Sequence, residues 1–186
     1  MTRIVAGSAG GRRIGVPPGQ GTRPTSERTR EALFSTLAAL TDLDGARVLD
    51  LYAGSGAVGL EALSRGAAHA LLVESDGRVA RLIRDNARTL GLAGAEVTTD
   101  RVQRLAAGPP PGPAYDVVFA DPPYALSDAD LDEVLAGLAA HGWLAPDAVV
   151  VVERHRDAAE PVWPAPLEPV KRKRYGDTAL WYGRRP

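Results

Sequence analysis

From Arg47 onward the chain alternates short apolar runs with longer amphipathic stretches. Val48-Leu49-Asp50-Leu51-Tyr52, Ala70–Val73, Glu96–Thr99, Tyr115–Ala120 and Ala148–Val152 have strand length and strand composition. Between them lie helical patterns: 57–65, a stretch with Val79, Ile83, Ala87 and Leu90 on one face, and 129–141. Gly91 is placed to end the second of these helices. Strands alternating with helices predict a mainly parallel, doubly wound α/β sheet. Val170–Tyr175 and Thr178–Tyr182, turned at Gly176-Asp177, predict a closing hairpin that adds an antiparallel edge. Ahead of Arg47, residues 3–6 and 12–16 predict a small hairpin around a glycine-rich turn. A helix follows, capped by Ser26 or Thr25, with Leu33, Leu37 and Leu40 on one face. The Pro/Gly-rich stretches 108–114 and 157–169 read as loops.

A chain of 186 residues fits one domain that buries roughly 70% of its unfolded surface. It contains no cysteine, so disulfides, thiolate metal sites and a cysteine nucleophile are excluded. The three histidines are scattered and no metal site is expected. No run approaches the roughly 18 apolar residues of a membrane span, and no signal-peptide core is present, so a cytoplasmic protein without membrane contact is expected. The net charge of −1 conceals an asymmetry. Residues 1–30 carry +5, residues 171–186 carry +5, and the middle carries −11. Two basic ends around an acidic body suit contact with a polyanion. Arg3, Arg12, Arg13, Arg23, Arg28, Arg30, Arg172 and Arg174 are the candidate phosphate contacts.

Asp50-x-x-x-Gly54-Ser55-Gly56-x-x-Gly59 lies between a strand and a helix, where glycines let a ligand approach the backbone. Glu74 ends the next strand and can accept both hydroxyls of a ribose. Acids recur at Asp100 and Asp121. An acidic rim repels a pyrophosphate but suits a sulfonium and an ammonium, which favours S-adenosylmethionine over a nicotinamide dinucleotide. Asp50, Tyr52, Gly54, Ser55, Gly56, Glu74, Asp100 and Arg101 are therefore candidate cofactor contacts. Arg23 and Thr25 join them if their segment folds over the site.

The tetrapeptide Asp121-Pro122-Pro123-Tyr124 follows the fourth strand directly. Open α/β sheets place ligands at that end. The prolines are stiff and cannot donate hydrogen bonds, so their carbonyls remain as acceptors. The corner suits a planar substrate bearing an amino group. Asp121 and the Pro122 carbonyl can accept its two N–H groups, and Tyr124 can stack on its ring. These three residues are the candidate catalytic set.

Asp50 to Glu61 together with Asp121–Tyr124 resembles the class I methyltransferases that act on exocyclic amines. Arg3–Gly7, Gly10–Ile14, Pro17–Gly19 and Thr22–Arg28, with His141–Leu144 and Lys173–Thr178, narrow the resemblance to the bacterial 16S rRNA (guanine(966)-N(2))-methyltransferase family. The resemblance implies a Rossmann-like, seven-stranded sheet. It implies an amino-terminal RNA-contacting extension, 1–40, on a methyltransferase domain, 41–186. It also implies S-adenosylmethionine as cofactor and 16S rRNA in a partly assembled small subunit as substrate, acted on by a monomer. The residues themselves leave two alternatives open: an adenine N6 or glutamine amide target, and a noncatalytic RNA-binding assembly factor.

Overall fold

The apolar runs assemble into a single seven-stranded sheet in a computed structural model, which describes residues 1–18 and 26–186. A small hairpin precedes it, pairing β1 (Thr2–Arg3) with β2 (Arg13–Ile14). Then come α1 (Glu27–Leu40), β3 (Arg47–Leu51), α2 (Ala57–Ser64), β4 (His69–Glu74), α3 (Gly77–Leu90) and β5 (Ala95–Thr99). The chain continues through α4 (Val102–Ala106), β6 (Tyr115–Ala120), α5 (Asp128–Ala140), β7 (Leu144–His155), β8 (Glu168–Tyr175) and β9 (Thr178–Arg184). The sheet order is β5-β4-β3-β6-β7-β9-β8. The first five strands in this order are parallel, β9 runs antiparallel to β7, and β8 runs antiparallel to β9.

Local chemistry sets the helix ends. Ser26 caps α1 by accepting from Thr29 N at 3.0 Å, and Asp76 caps α3. Gly91 ends α3 in the left-handed region, at φ 68°. Two elements depart from the expectation. The five-residue helix α4 spans barely more than one turn and carries Gln103 and Arg104, so it shows no periodicity. Strand β7 runs from Leu144 to His155 rather than over 148–152, because Leu144 pairs with Tyr115 of β6 at its near end and β9 pairs with its far end through His155↔Thr178.

One face of the sheet packs α1, α2, α3 and the amino-terminal hairpin through Ile4, Phe34, Val58 and Ile83. The other packs α4 and α5 through Val102, Leu131 and Trp143. The hairpin is tied to α2 by Glu61, which is wholly buried. Its carboxylate accepts from Val5 N at 2.8 Å, Ala6 N at 3.0 Å, Arg30 Nε at 3.2 Å and Arg65 Nε at 2.9 Å. A buried carboxylate is tolerable only with such partners. Gly7, at φ +83°, lies so close to α2 that a Cβ there would sit 1.9 Å from the Ser64 carbonyl oxygen.

This network corrects one reading of the charge. Arg30 is fully buried, paired with Glu61 and donating to the Arg3 carbonyl. Its guanidinium holds the extension to the core and does not reach a phosphate.

Candidate active site

The strand order reverses between β3 and β6, and a cleft of about 1240 Å³ opens at the carboxyl ends of the strands there. Crevices at such reversals are where doubly wound sheets bind ligands.

The β3–α2 turn forms its floor. Asp50 is 2% exposed and accepts from Gly59 N at 2.9 Å, so it caps a helix whose own N-cap, Gly56, has no side chain. Burial pushes the Asp50 carboxyl up to about 8; the Gly59 bond pulls it down and the Glu74 charge adds to the rise. Gly59 lets α2 settle on the sheet, since a Cβ there would lie 2.7 Å from Leu72 Cδ2. Gly56, at φ +81°, faces Ile83 Cγ2 at 2.9 Å from a Cβ position. Gly54 has φ +57° and open space where a Cβ would be. Its N–H donates to Glu74 Oε2 at 3.0 Å, and Asp76 N donates to Glu74 Oε1 at 3.2 Å.

Tyr52, Ser55, Asp100 and Arg101 also line the cleft. Tyr52 holds a left-handed φ of 59°, and its buried hydroxyl has no partner among the described residues. Burial raises that hydroxyl to about 12, with Arg154 lowering and Asp130 raising it. Asp100 accepts from Arg101 N at 2.7 Å. Arg23 and Thr25 lie outside the described residues.

Opposite this turn, Asp121 and Pro122 leave the end of β6, with Pro122 buried. The Asp121 carboxyl is held well above the usual carboxylate range. Burial is the first cause; the charges of Glu153 and Asp50 add to it, and Arg154 opposes it. Tyr124 is 63% exposed and lines the cleft, so it is not a packing aromatic.

Glu153 was not singled out in the sequence, yet it lines the cleft beside Asp121. The signal was present: Glu153 follows Ala148–Val152 as Glu74 follows Ala70–Val73. Asn86 was also missed. It is buried on α3, donates to the Ser55 and Gly15 carbonyls at 3.0 Å, and accepts from Gly15 N at 2.9 Å.

The two basic ends of the chain meet at this cleft: Arg28 and Arg174 both line it. Arg13 is exposed, and Arg172 lies 5.0 Å over the Trp181 ring. Arg3 pairs with Glu27 at 3.0 Å, and Arg12 donates to the last carbonyls of α3, Thr89 and Leu90.

Residues 2–184 match the family described as conserved hypothetical protein 95. The chain belongs to this family. It is 40% identical over 163 residues to ribosomal RNA small subunit methyltransferase D of Escherichia coli (strain K12), covering 88% of this chain and 79% of that protein. Among solved structures, yhhF of Escherichia coli is 35% identical with a TM-score of 0.87, covering 99% of this chain and 97% of that one. Magnesium protoporphyrin IX methyltransferase from Synechocystis, solved with bound SAM, shares the fold at 15% identity and a TM-score of 0.66, over 86% of this chain and 79% of that one. By family and fold the chain is a class I methyltransferase.

The cleft of this family member fits a cationic nucleoside cofactor. Asp50 and Glu74 line its β3–β4 side, and burial together with the Glu74 charge raises the cost of ionising Asp50. A bound cation relieves that cost. The backbone at Gly54 and the unpartnered Tyr52 hydroxyl add room and an unused polar group.

Proposed function

We propose that this protein methylates the exocyclic N2 of one guanine in 16S rRNA, position 966 in the usual rRNA numbering, using S-adenosylmethionine. The observation that carries this reading is the facing of two elements across one cleft: the β3–α2 turn with Glu74, and Asp121-Pro122-Pro123-Tyr124. The small-subunit RNA target rests on kinship with ribosomal RNA small subunit methyltransferase D. Arg28 and Arg174, from opposite ends of the chain, give the rim the positive charge a phosphate backbone needs. In this reading residues 1–40 are an RNA-contacting extension on a methyltransferase domain of 41–186. The protein works as a cytoplasmic monomer on a partly assembled subunit.

Asp50, Tyr52, Gly54, Ser55, Glu74, Asp100 and Arg101 form the cofactor's side of the cleft, with Glu74 as the acceptor for a ribose, while Gly56 packs against Ile83 and shapes the turn without lining the cleft. The bound cofactor supplies an electrophilic methyl group on a sulfonium. Guanine N2 is a weak nucleophile because its lone pair is delocalised into the ring. Asp121 Oδ and the Pro122 carbonyl accept its two N–H groups and favour a localised lone pair. As nitrogen gains positive charge, the Asp121 carboxylate stabilises it and then takes the proton. The raised pKa of Asp121 makes it the stronger proton acceptor. Tyr124 stacks on the base, which must leave its own stack to enter.

The test is methyl transfer from labelled cofactor to small subunits isolated without the modification, with the labelled nucleotide mapped. Label on a single guanine N2 is the expected result. Label on adenine or on ribosomal protein overturns the reading.

A further inference from the structure

We propose that Glu153 is the residue that distinguishes guanine from other bases, by accepting the ring N1–H while Asp121 accepts from N2. This rests on the function proposed above and adds a specificity residue to it.

Strands β6 and β7 are parallel neighbours with Ala120 opposite Val152. Asp121 follows Ala120 just beyond the end of β6, and Glu153 follows Val152 within β7. Both continue the series that faces α1–α3, after Val117 and Phe119 on β6 and Val149 and Val151 on β7. Adjacent strands lie about 4.8 Å apart, so the two carboxylates can converge on neighbouring donors of one small ring. Both line the cleft. The Glu153 charge is the first electrostatic cause of the Asp121 shift after burial, which reflects their closeness. Asp50, on the same face, already accepts from Gly59 N and lies deeper. Arg154 belongs to the opposite series and is tied to the Leu126 carbonyl at 3.2 Å and Asp128 at 2.8 Å, so it holds the loop after Tyr124.

An ionised carboxylate only accepts hydrogen bonds. When both are ionised, two carboxylates side by side match an edge with two adjacent donors. Guanine offers N1–H next to N2–H₂. Adenine offers an amine next to a bare ring nitrogen, whose lone pair would face the Glu153 carboxylate. A site built around such a hydrogen bond rejects a ligand lacking it far more strongly than a site built on shape.

The probe is 2-aminopurine, which keeps the amine but has no N1–H. Small subunits are reconstituted with guanine or 2-aminopurine at the target position, and single-turnover methyl transfer is compared. The wild-type protein should prefer guanine by roughly a hundredfold or more. In Glu153→Gln the new amide can donate to the bare nitrogen, and the preference should fall at least tenfold. Glu153→Asp should retain a preference for guanine. Calorimetric cofactor binding close to wild type marks each variant as folded; Glu153→Ala, which should also lose the preference, is the second variant if the glutamine form fails that check. An unchanged ratio in folded Gln or Ala variants, with guanine still methylated by the wild type, overturns the role of Glu153 alone. No transfer to guanine by the wild type overturns the underlying function and this assignment with it.

Discussion

On the β3–β4 side of the cleft the carboxylates accept from the protein's own backbone, and on the β6–β7 side two carboxylates line the cavity beside an exposed ring. Asp50 accepts from Gly59 N, and Glu74 accepts from Gly54 N and Asp76 N. Asp121 and Glu153 line the cleft together, beside a Tyr124 ring that is 63% exposed. The first side is a scaffold whose shape is fixed before any ligand arrives. The second holds a stacking surface, the Tyr124 ring, whose partner must come from outside. Preorganised binding and reactive chemistry thus occupy neighbouring strand ends of one sheet.

The sharpest way to break this division is Asp121→Ala. Methyl transfer should fall by roughly 10²–10⁴ in single turnover, while calorimetric cofactor affinity stays within a few-fold. A loss of affinity as large as the loss of rate would place Asp121 on the binding side instead.

The division was only partly legible in the sequence. Asp50, Gly54, Gly56 and Glu74 announced themselves because glycine spacing and a strand-end acid are local signals. Asp121–Tyr124 did so because two prolines after an apolar run have few other uses. Arg30 read as a surface cation because charge counting does not show that Glu61, 31 residues away, will meet it in the core. The far end of β7 was missed because pairing with β9 extends it, a tertiary effect. Glu153 was overlooked although it repeats the pattern of Glu74.

Asp50→Asn tests whether the scaffold side is fixed at a cost. The Asp50 carboxyl sits at about 8 in the folded protein against 3.8 for the ordinary group. Between those values the folded state binds more protons than the unfolded one. The contribution of Asp50 to stability is therefore full below the lower value and lost as pH rises through the upper one. Asparagine keeps an acceptor for Gly59 N but does not titrate. The ligand-free wild type should lose thermal stability from pH 5 to pH 8 more steeply than Asp50→Asn. Parallel Tm curves would show that Asp50 is not held neutral by the fold.

Tyr124→Ala addresses the open side. Removing the ring should weaken substrate binding by roughly 1–3 kcal/mol, read as a rise in KM for the subunit. With the ring mostly solvent-exposed, thermal stability should hardly move. Tyr124→Phe keeps the stacking face and should stay near wild type. A large drop in Tm for Tyr124→Ala would make the ring a packing element after all.

The smallest effects separate the arginines. Replacing Arg13 or Arg174 by Ala should each lower the slope of log affinity against log salt by about 0.7–0.9, one phosphate contact apiece. Arg12 should have a smaller effect, because its guanidinium is already shared with the Thr89 and Leu90 carbonyls. Arg30→Ala should leave the salt slope alone and instead destabilise the fold, since it removes one of the two guanidiniums that pair with the buried Glu61 carboxylate. The outcome to watch is the pairing of readouts. If Arg30→Ala changes the slope and Arg174→Ala changes only Tm, the assignment of outer cations to RNA and inner cations to the core is reversed.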